Sequence, residues 1–120
     1  MNPIGRAIAI IDDDVAICDS ASFLLETYDF VVLTYLSGAD FLRDDPDIAC
    51  LVVDYRMPGM NGLELVSDLR KRGSTVAVIM ISATTDASFR RRAAELGVNY
   101  VLEKPFSNQA LIDAICGELQ

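Results

Sequence analysis

Five short apolar runs are spaced along the chain, each of a length typical of a β-strand. They cover residues 7–11, 31–35, 50–53, 76–81 and 100–102. Most of them do not alternate with polar residues, which favours parallel strands buried on both faces over half-exposed antiparallel strands. The pattern therefore predicts a parallel sheet whose strands are joined by helical crossovers.

The segments between these runs carry apolar residues at helical spacing. A shorter helix is predicted around residues 38–42, and Gly73 and Gly97 stand where the third and fourth helices would end. Together the two patterns predict one α/β unit with five strands and five helices. The predicted buried stripes are Ile17, Ala21, Leu24 and Tyr28; Leu65, Val66 and Leu69; Phe89, Ala93 and Leu96; and Leu111, Ile112, Ile115 and Leu119.

Length and net charge limit the number of domains and the kinds of partner that the chain can have. The 120 residues, 52% of them hydrophobic, suffice for one core but not for two ordinary domains, so we expect a single domain over residues 1–120. A net charge of −8 argues against direct binding of nucleic acid or of an anionic membrane surface, because both are negatively charged. Of the 18 acidic residues, 11 lie in positions 1–54, so acidic chemistry is expected mainly in the first half.

Cysteine and histidine usage bears on location and chemistry. The chain has three cysteines, an odd number, and each lies in an apolar stretch: Cys18, Cys50 and Cys116. This pattern favours free, buried thiols in a reducing compartment over disulfides. The first apolar run is too short for a secretory signal and no run reaches membrane-spanning length, so we expect a cytoplasmic location. Because the chain has no histidine, imidazole catalysis is excluded within it, and any phosphohistidine must belong to a partner.

Polar and charged side chains that could bind a ligand or react stand at or just after the carboxyl ends of four predicted strands. In an open parallel sheet, ligands bind beyond the carboxyl ends of the strands, so these side chains should share one crevice. Carboxylates about 4 Å apart repel by roughly 4 kcal/mol per pair at a dielectric near 20, which favours a bound cation. Oxygen ligands select Mg²⁺ or Mn²⁺, and phosphate chemistry follows from that. The residues are Asp12, Asp13 and Asp14, then Asp54, Ser82 and Lys104.

Each of these residues also has a plainer interpretation. Aspartates after a strand often cap the next helix, and Asp14 is predicted to do so. A lysine before proline is usually a solvated loop residue, and residues 58–62 could be an ordinary turn rather than a close approach beside the site. The basic clusters at 70–72 and 90–92 are typical of solvated helix faces, with docking to an acidic partner or a charge-paired homodimer as the alternative.

Four motifs carry a family resemblance. The chain contains IIDDD, VVDYRMPGMNG, MISA and EKPF, at separations that span nearly its whole length. Together they resemble the CheY-like receiver domain of two-component response regulators, and the DYRMP form is nearer to receivers of the FixJ type. The resemblance implies a flavodoxin-like α/β fold, with a doubly wound five-stranded parallel sheet in strand order 2-1-3-4-5 and five flanking helices.

The resemblance also implies a phosphoryl-accepting site. Asp54 would be the acceptor, and Lys104, the hydroxyl of Ser82 and the backbone N–H of Ala83 would contact the phosphoryl oxygens. After phosphorylation, the Ser82 hydroxyl would turn toward the phosphoryl group. The Lys104–Pro105 bond is expected to be cis.

A metal ion belongs to the same implied site. Mg²⁺, with Mn²⁺ as a substitute, would be bound directly by Asp13, Asp54 and the backbone carbonyl of Arg56. Asp12 would act through a coordinated water. The ion would neutralise charge on the transferred oxygens, which is most of what phosphoryl transfer requires.

Partners follow from the family as well. The resemblance implies a signalling switch that catalyses only its own phosphorylation and dephosphorylation, with a sensor histidine kinase as donor. It allows a homodimer through the fourth helix, the fifth strand and the fifth helix. FixJ-type receivers usually precede a DNA-binding effector that controls transcription, so the sequence is either a stand-alone receiver or the receiver part of a transcription factor.

One position departs from the family pattern. Many receivers carry an aromatic residue three positions before the lysine, where this chain has Val101. The neighbouring Tyr100 should point to the opposite side of the strand and cannot substitute. We therefore hypothesise that signalling from Asp54 to the surface formed by the fourth helix, the fifth strand and the fifth helix is weaker than in receivers with that ring.

Three other function classes compete with this one. A flavodoxin-like flavin binder would need a neutral loop after the first strand, where three carboxylates would repel phosphate. A haloacid-dehalogenase-type phosphatase would need a second aspartate two residues after Asp54, where Arg56 stands. The remaining alternative is a receiver-fold interaction module that signals without phosphate.

Overall fold

Five parallel strands form the centre of the molecule. A computed structural model of the chain describes residues 7–119; residues 1–6, the start considered above for a targeting signal, and residue 120 lie outside the described part. The sheet order is β2-β1-β3-β4-β5, which confirms the order implied by the resemblance. The strands are β1 (Ala7–Ile11), β2 (Val31–Tyr35), β3 (Ile48–Asp54), β4 (Ala77–Ser82) and β5 (Tyr100–Glu103).

The strand ends predicted at Asp54 and Ser82 are confirmed, and β3, β4 and β5 each extend one residue beyond their apolar runs at the carboxyl end. Asp54 is the last residue of β3 and Ser82 the last residue of β4. Their backbones continue the ladder, with Asp54 paired to Ile81 and Ser82 to Glu103. The apolar runs stop before these last residues, because backbone pairing at the end of a strand does not require an apolar side chain. Both polar residues are consequently fixed by the sheet itself.

Residues 7–119 contain five helices, each preceded by a side chain that caps its first turn; the first four connect successive strands and the last follows β5. The caps are Asp14, Ser37, Asn61, Asp86 and Ser107, whose side-chain oxygens accept backbone N–H groups of the following turn. The capping role predicted for Asp14 is thus confirmed. The helices are α1 (Val15–Glu26), α2 (Gly38–Asp44), α3 (Gly62–Lys71), α4 (Ala87–Glu95) and α5 (Asn108–Glu118).

The helices cover the sheet in two layers, so the sheet has a core on each face. One core joins the sheet to α2, α3 and α4 through Phe41, Leu65 and Phe89. The other joins it to α1 and α5 through residues such as Leu25 and Ile115. This confirms the prediction of burial on both faces for β1, β3 and β4, whereas Val31 of β2 and Tyr100 of β5, in the edge strands, are 45% and 49% exposed.

The stripe predicted for α1 is partly wrong. The structure buries Cys18 and Leu25, while Ile17 stays 44% exposed and Tyr28, beyond the helix end, 49% exposed. The inward face is centred on Cys18, Ala21 and Leu25. Both this set and the predicted one have helical spacing, so spacing alone does not decide which face of α1 packs on the sheet. The stripes predicted for α3, α4 and α5 are confirmed, with Leu96 and Leu119 at their margins. α1 therefore shows apolar side chains to solvent.

The predicted helix ends at Gly73 and Gly97 and the predicted burial of Cys18 and Cys50 are also confirmed. Gly73 and Gly97 follow α3 and α4 with φ of 89° and 71°, the left-handed conformation that ends helices. All three cysteines are free; Cys18 and Cys50 are buried and Cys116 is half-buried. Within residues 7–119, no helix has the length and apolar character needed to cross a membrane.

Arg70, in the first of the two basic clusters, makes structural hydrogen bonds and is not only a solvated charge. The half-buried guanidinium of Arg70, at the end of α3, donates to the carbonyls of Ser74 at 3.1 Å, Val76 at 2.9 Å, Leu96 at 2.8 Å and Gly97 at 3.0 Å. Burial lowers the pKa of the Arg70 guanidinium below its usual value. These bonds tie the end of α4 to the end of α3. We name this set of contacts the Arg70 clamp.

Candidate functional site

The carboxyl ends of β1, β3, β4 and β5 meet at one edge of the sheet. They bring together Asp12, Asp54, Ser82 and Lys104, as the sequence predicted, because parallel strands end on the same side. Asp12, Asp54 and Ser82 are 4%, 5% and 2% exposed and are the buried polar residues of the described chain. These residues form a buried polar floor beneath a solvent-facing crevice.

Three carboxylates converge at this floor. One oxygen each from Asp12, Asp13 and Asp54 lies within 4.8 Å of the others, and Asp13 is exposed while its two neighbours are buried. Such a set is all oxygen and strongly negative, which suits a hard divalent cation such as Mg²⁺ or Mn²⁺ and not a soft metal. The donor set therefore fits the metal that the sequence implied.

Asp12 is held from several sides. Burial raises the pKa of Asp12 above its usual 3.8, the Asp14 N–H at 2.9 Å from its carboxylate opposes that rise, and the charge of Asp54 adds to it. Its backbone N–H donates to the Tyr35 carbonyl at 3.1 Å, and its carbonyl accepts the Cys18 thiol at 3.3 Å. The first loop is thus fixed by residues from β2 and α1.

Asp54 is paired with Lys104. Lys104 Nζ lies 2.8 Å from Asp54 Oδ1, with the lysine side chain 38% exposed and the aspartate side chain 7% exposed. The Lys104–Pro105 bond is cis, as the resemblance implied. The Lys104 ammonium contacts the buried Asp54 carboxylate and also faces solvent. It can therefore contact an anionic ligand that approaches Asp54.

The Ser82 hydroxyl faces its own loop. It donates to the Thr84 carbonyl at 2.7 Å and accepts the Thr84 N–H at 2.9 Å. Ala83 lies between them in the exposed loop that leads to α4. The hydroxyl therefore has two local partners that it would have to exchange for any ligand bound at Asp54.

The segment after Asp54 folds back closely on β3. Gly62 N–H donates to the Tyr55 carbonyl at 2.8 Å. A Cβ at Gly62 would lie 2.8 Å from the Asp54 carbonyl oxygen and 2.7 Å from Met80 Sδ, so a larger residue does not fit. This favours the close-approach interpretation of the turn, and Asn61 and Glu64 close it with reciprocal capping bonds.

Other site-related contacts were missed from sequence. Neither the Cys18 and Tyr35 contacts to Asp12 nor the ring contact between Tyr55 and Phe89, 4.8 Å between centroids, was predicted. Spacing offered one usable signal, since Cys18 lies in the helical turn that follows the acidic loop and can face back to it. Val101 packs against the core of the α4 side, and Tyr100, predicted to point to the opposite side of β5, is 49% exposed.

An apolar groove opens beside the carboxylates. It lies between α1 and α5, has a volume of about 520 Å³, and is lined by Asp12, Asp54, Ile17, Phe23 and Phe106 among others. Phe23 is 72% exposed, and Ile17 is exposed as noted above. The acidic floor can therefore be reached along a surface that would favour an apolar partner.

Comparison with known proteins places these features in a family. The family model for the response regulator receiver domain matches residues 8–116. The chain is 40% identical to the transcriptional regulatory protein FixJ of Azorhizobium caulinodans, over 98% of this chain and 56% of that protein. It is 37% identical to the transcriptional regulatory protein TdiR of Thauera aromatica, over 90% of this chain and 48% of that protein.

Solved structures agree. The BeF₃-activated receiver domain of DrrB superposes with a TM-score of 0.85 at 27% identity, covering 95% of this chain and 97% of that one. The chain spans about half the length of the curated relatives it matches. With the family model covering nearly the whole chain, and the fold and acidic edge in agreement, the chain belongs to the response regulator receiver domains of two-component signalling.

Proposed function

We propose that Asp54 accepts a phosphoryl group from a phosphohistidine of a sensor histidine kinase, in a reaction that requires Mg²⁺. The observation that carries this proposal is the convergence of Asp12, Asp13 and Asp54 at a crevice where Lys104 already contacts the central carboxylate. As a receiver domain, the chain is a signalling switch and not an enzyme for free substrates.

The transfer itself is a substitution at phosphorus. A carboxylate oxygen of Asp54 attacks in line, an O–P bond forms, and the P–N bond of phosphohistidine breaks with its electron pair kept by the imidazole nitrogen. Asp13, Asp54 and the Arg56 carbonyl would bind Mg²⁺ directly and Asp12 through water. The bound ion would neutralise charge on the transferred oxygens.

Lys104 and Ser82 act on the product. Phosphorylation removes the negative charge of the Asp54 carboxylate and adds phosphoryl oxygens, so Lys104 would pair with one of those instead. The Ser82 hydroxyl would leave Thr84 and, together with the Ala83 N–H, contact another. This exchange biases two conformations only by the difference in these interactions, so the unphosphorylated chain should already sample the active one.

The groove between α1 and α5 supports the choice of donor. An apolar partner surface placed there would cover Ile17 and Phe23 and bring a side chain to Asp54. The output is proposed from the relatives' names: because they are transcriptional regulators about twice as long, this domain would control a DNA-binding effector, with homodimerisation through α4, β5 and α5.

The first experiment is intact-mass spectrometry after incubation with acetyl phosphate or a phosphorylated histidine-kinase domain, with and without Mg²⁺. A single phosphoryl gain that needs Mg²⁺ and disappears in Asp54→Asn is expected. Asp14→Asn is the matched control, since it keeps the cap of α1 and should be phosphorylated normally. No gain from either donor would contradict the proposal and favour the phosphate-independent interaction module.

A second pair of variants tests the docking face. Phe23→Ser should slow transfer from the kinase domain by about tenfold and leave acetyl phosphate unaffected, because only the protein donor needs the groove. Tyr28→Ser, a comparably exposed aromatic residue outside the groove, is the control. Equal slowing with both donors would contradict docking at Phe23.

A further inference from the structure

Tyr55 stands between the proposed phosphoryl acceptor and α4. It follows Asp54 directly, its N–H donates to the Ile81 carbonyl at 2.8 Å, and its carbonyl accepts the Gly62 N–H at 2.8 Å. These bonds fix its main chain to β4 on one side and to the start of α3 on the other. The ring therefore projects from a backbone that cannot move independently of the acceptor.

The ring of Tyr55 meets Phe89 in the first turn of α4. The two centroids are 4.8 Å apart with an interplanar angle of 60°, a geometry in which aromatic rings attract. Phe89 is 5% exposed, and Tyr55 is half-buried. The guanidinium carbon of Arg56 lies 5.7 Å from the Tyr55 centroid, so the same ring also touches the residue proposed to offer a metal-binding carbonyl.

The start of α4 is also the part of the helix nearest the proposed switch. Only residues 83–86 separate Ser82 from α4, and the Ser82 hydroxyl is bonded to Thr84 within that segment. If the hydroxyl turns toward Asp54, this short connection shifts, and Phe89 moves against the Tyr55 ring. Val101 packs against the same core but offers no ring.

We infer that Tyr55 couples the state of Asp54 to the position of α4 through its ring contact with Phe89. Tyr55 is a positioning residue in this scheme and does not touch the phosphoryl group. The inference rests on the proposed phosphoryl transfer and adds the route by which it reaches α4. Coupling of this kind is reciprocal, so weakening the ring contact should also change how tightly the active-state ligand binds.

The test uses the 13.1 kDa chain and two-dimensional ¹H–¹⁵N NMR spectra. Beryllofluoride with Mg²⁺ serves as the probe, because BeF₃⁻ on a carboxylate stands in for the phosphoryl group of aspartyl phosphate. In wild type we expect amide shifts around Asp54 and along α4. In Tyr55→Leu the shifts around Asp54 should persist, while those of α4 fall by about half or more. Tyr55→Phe keeps the ring and should restore the α4 response.

Phe89→Leu removes the contact from the helix side and guards against a folding defect peculiar to Tyr55→Leu. The double variant should lose little more than either single one, because both remove one interaction. Tyr100→Leu, which removes an exposed ring of β5, is the control and should respond like wild type. An unchanged α4 response in Tyr55→Leu with beryllofluoride bound would overturn the inference, whereas failure of wild type to bind beryllofluoride would overturn the proposed function.

Discussion

Two loops meet at the acidic edge and are held in different ways. The β1–α1 loop, residues 12–14, is fixed from outside: Asp12 contacts Tyr35 of β2 and Cys18 of α1. The β4–α4 loop, residues 83–86, is held largely by local bonds, those of Ser82 with Thr84 and of Arg90 with the Thr85 carbonyl at 3.1 Å. We therefore expect the metal side of the site to be preformed and the switch side to rearrange.

The energetic difference follows from what each rearrangement would break. Moving the β1–α1 loop would separate groups on three packed elements, leaving buried donors and acceptors unpaired. Moving the β4–α4 loop exchanges the two hydrogen bonds between the Ser82 hydroxyl and Thr84 for bonds to a ligand or to water, which changes the free energy by only about 1 kcal/mol. A small change in interaction energy at Asp54 can accordingly shift the β4–α4 loop but not the β1–α1 loop.

The largest expected effect is on metal affinity. Asp13→Asn removes an exposed charged ligand from the preformed loop without disturbing its anchors. Mg²⁺ affinity, measured by NMR titration, should fall by at least the roughly 10–100-fold typical of losing even a supporting partner. Asp14→Asn should bind Mg²⁺ like wild type. Equal affinity in all three proteins would contradict the metal site.

The next effect concerns stability without metal. Asp12→Asn removes a buried charge next to Asp54 while an amide oxygen can still accept the Asp14 N–H, so the free energy of unfolding should rise by about 1 kcal/mol at pH 7. Denaturant unfolding measures it. Asp13→Asn, at an exposed position, should change it little.

The same variant has a predictable pH dependence. Because burial raises the folded-state pKa of Asp12, its ionisation destabilises the chain above that pKa and has no effect below the usual 3.8. The advantage of Asp12→Asn should therefore be full at neutral pH and vanish as the pH falls through the raised pKa toward 3.8. An advantage that grows on acidification would contradict this assignment.

A smaller effect tests the switch loop. Ser82→Ala removes both bonds to Thr84, so amide hydrogen exchange in residues 83–86 should quicken by at least about fivefold, the equivalent of losing one net hydrogen bond. Ser107→Ala, which removes a similar local bond at α5, should quicken exchange only there. If residues 83–86 exchange as in wild type, the loop is held by something other than Ser82.

The smallest effect tests the outside anchors of the first loop. Cys18→Ala should lower Mg²⁺ affinity by about threefold, since a thiol is a weak donor. Cys50→Ala removes another buried thiol far along the sheet and should lower stability without changing Mg²⁺ affinity. Equal Mg²⁺ affinities in the two variants would show that Cys18 only fills space.

Some of these features could be predicted from sequence because they are local. β1 and β2 coincide with their apolar runs, and Asp54, Ser82 and Lys104 converge because parallel strands end on one edge. Strand order was available only through the family resemblance, since periodicity does not say which strands pair.

The remaining features depend on packing between distant elements. The inward face of α1 is decided by where α5 and the sheet lie, so Ile17 was wrongly assigned to the core. The Ser82 hydroxyl has several rotamers, and its bond to Thr84 depends on the loop path. Cys18 and Arg70 donate hydrogen bonds to backbone carbonyls, and the pattern of side chains along the sequence does not predict such partners.

The Arg70 clamp gives α4 a fixed point. It holds the carbonyls of Leu96 and Gly97, at the far end of the helix from Phe89. A helix of 9 residues is about 13 Å long, so a shift of about 1 Å at its first turn needs a rotation of only about 4° around the clamped end. Displacement on activation should then be largest at Ala87 and fade toward Glu95. α4 would act as a lever whose fulcrum is a single arginine.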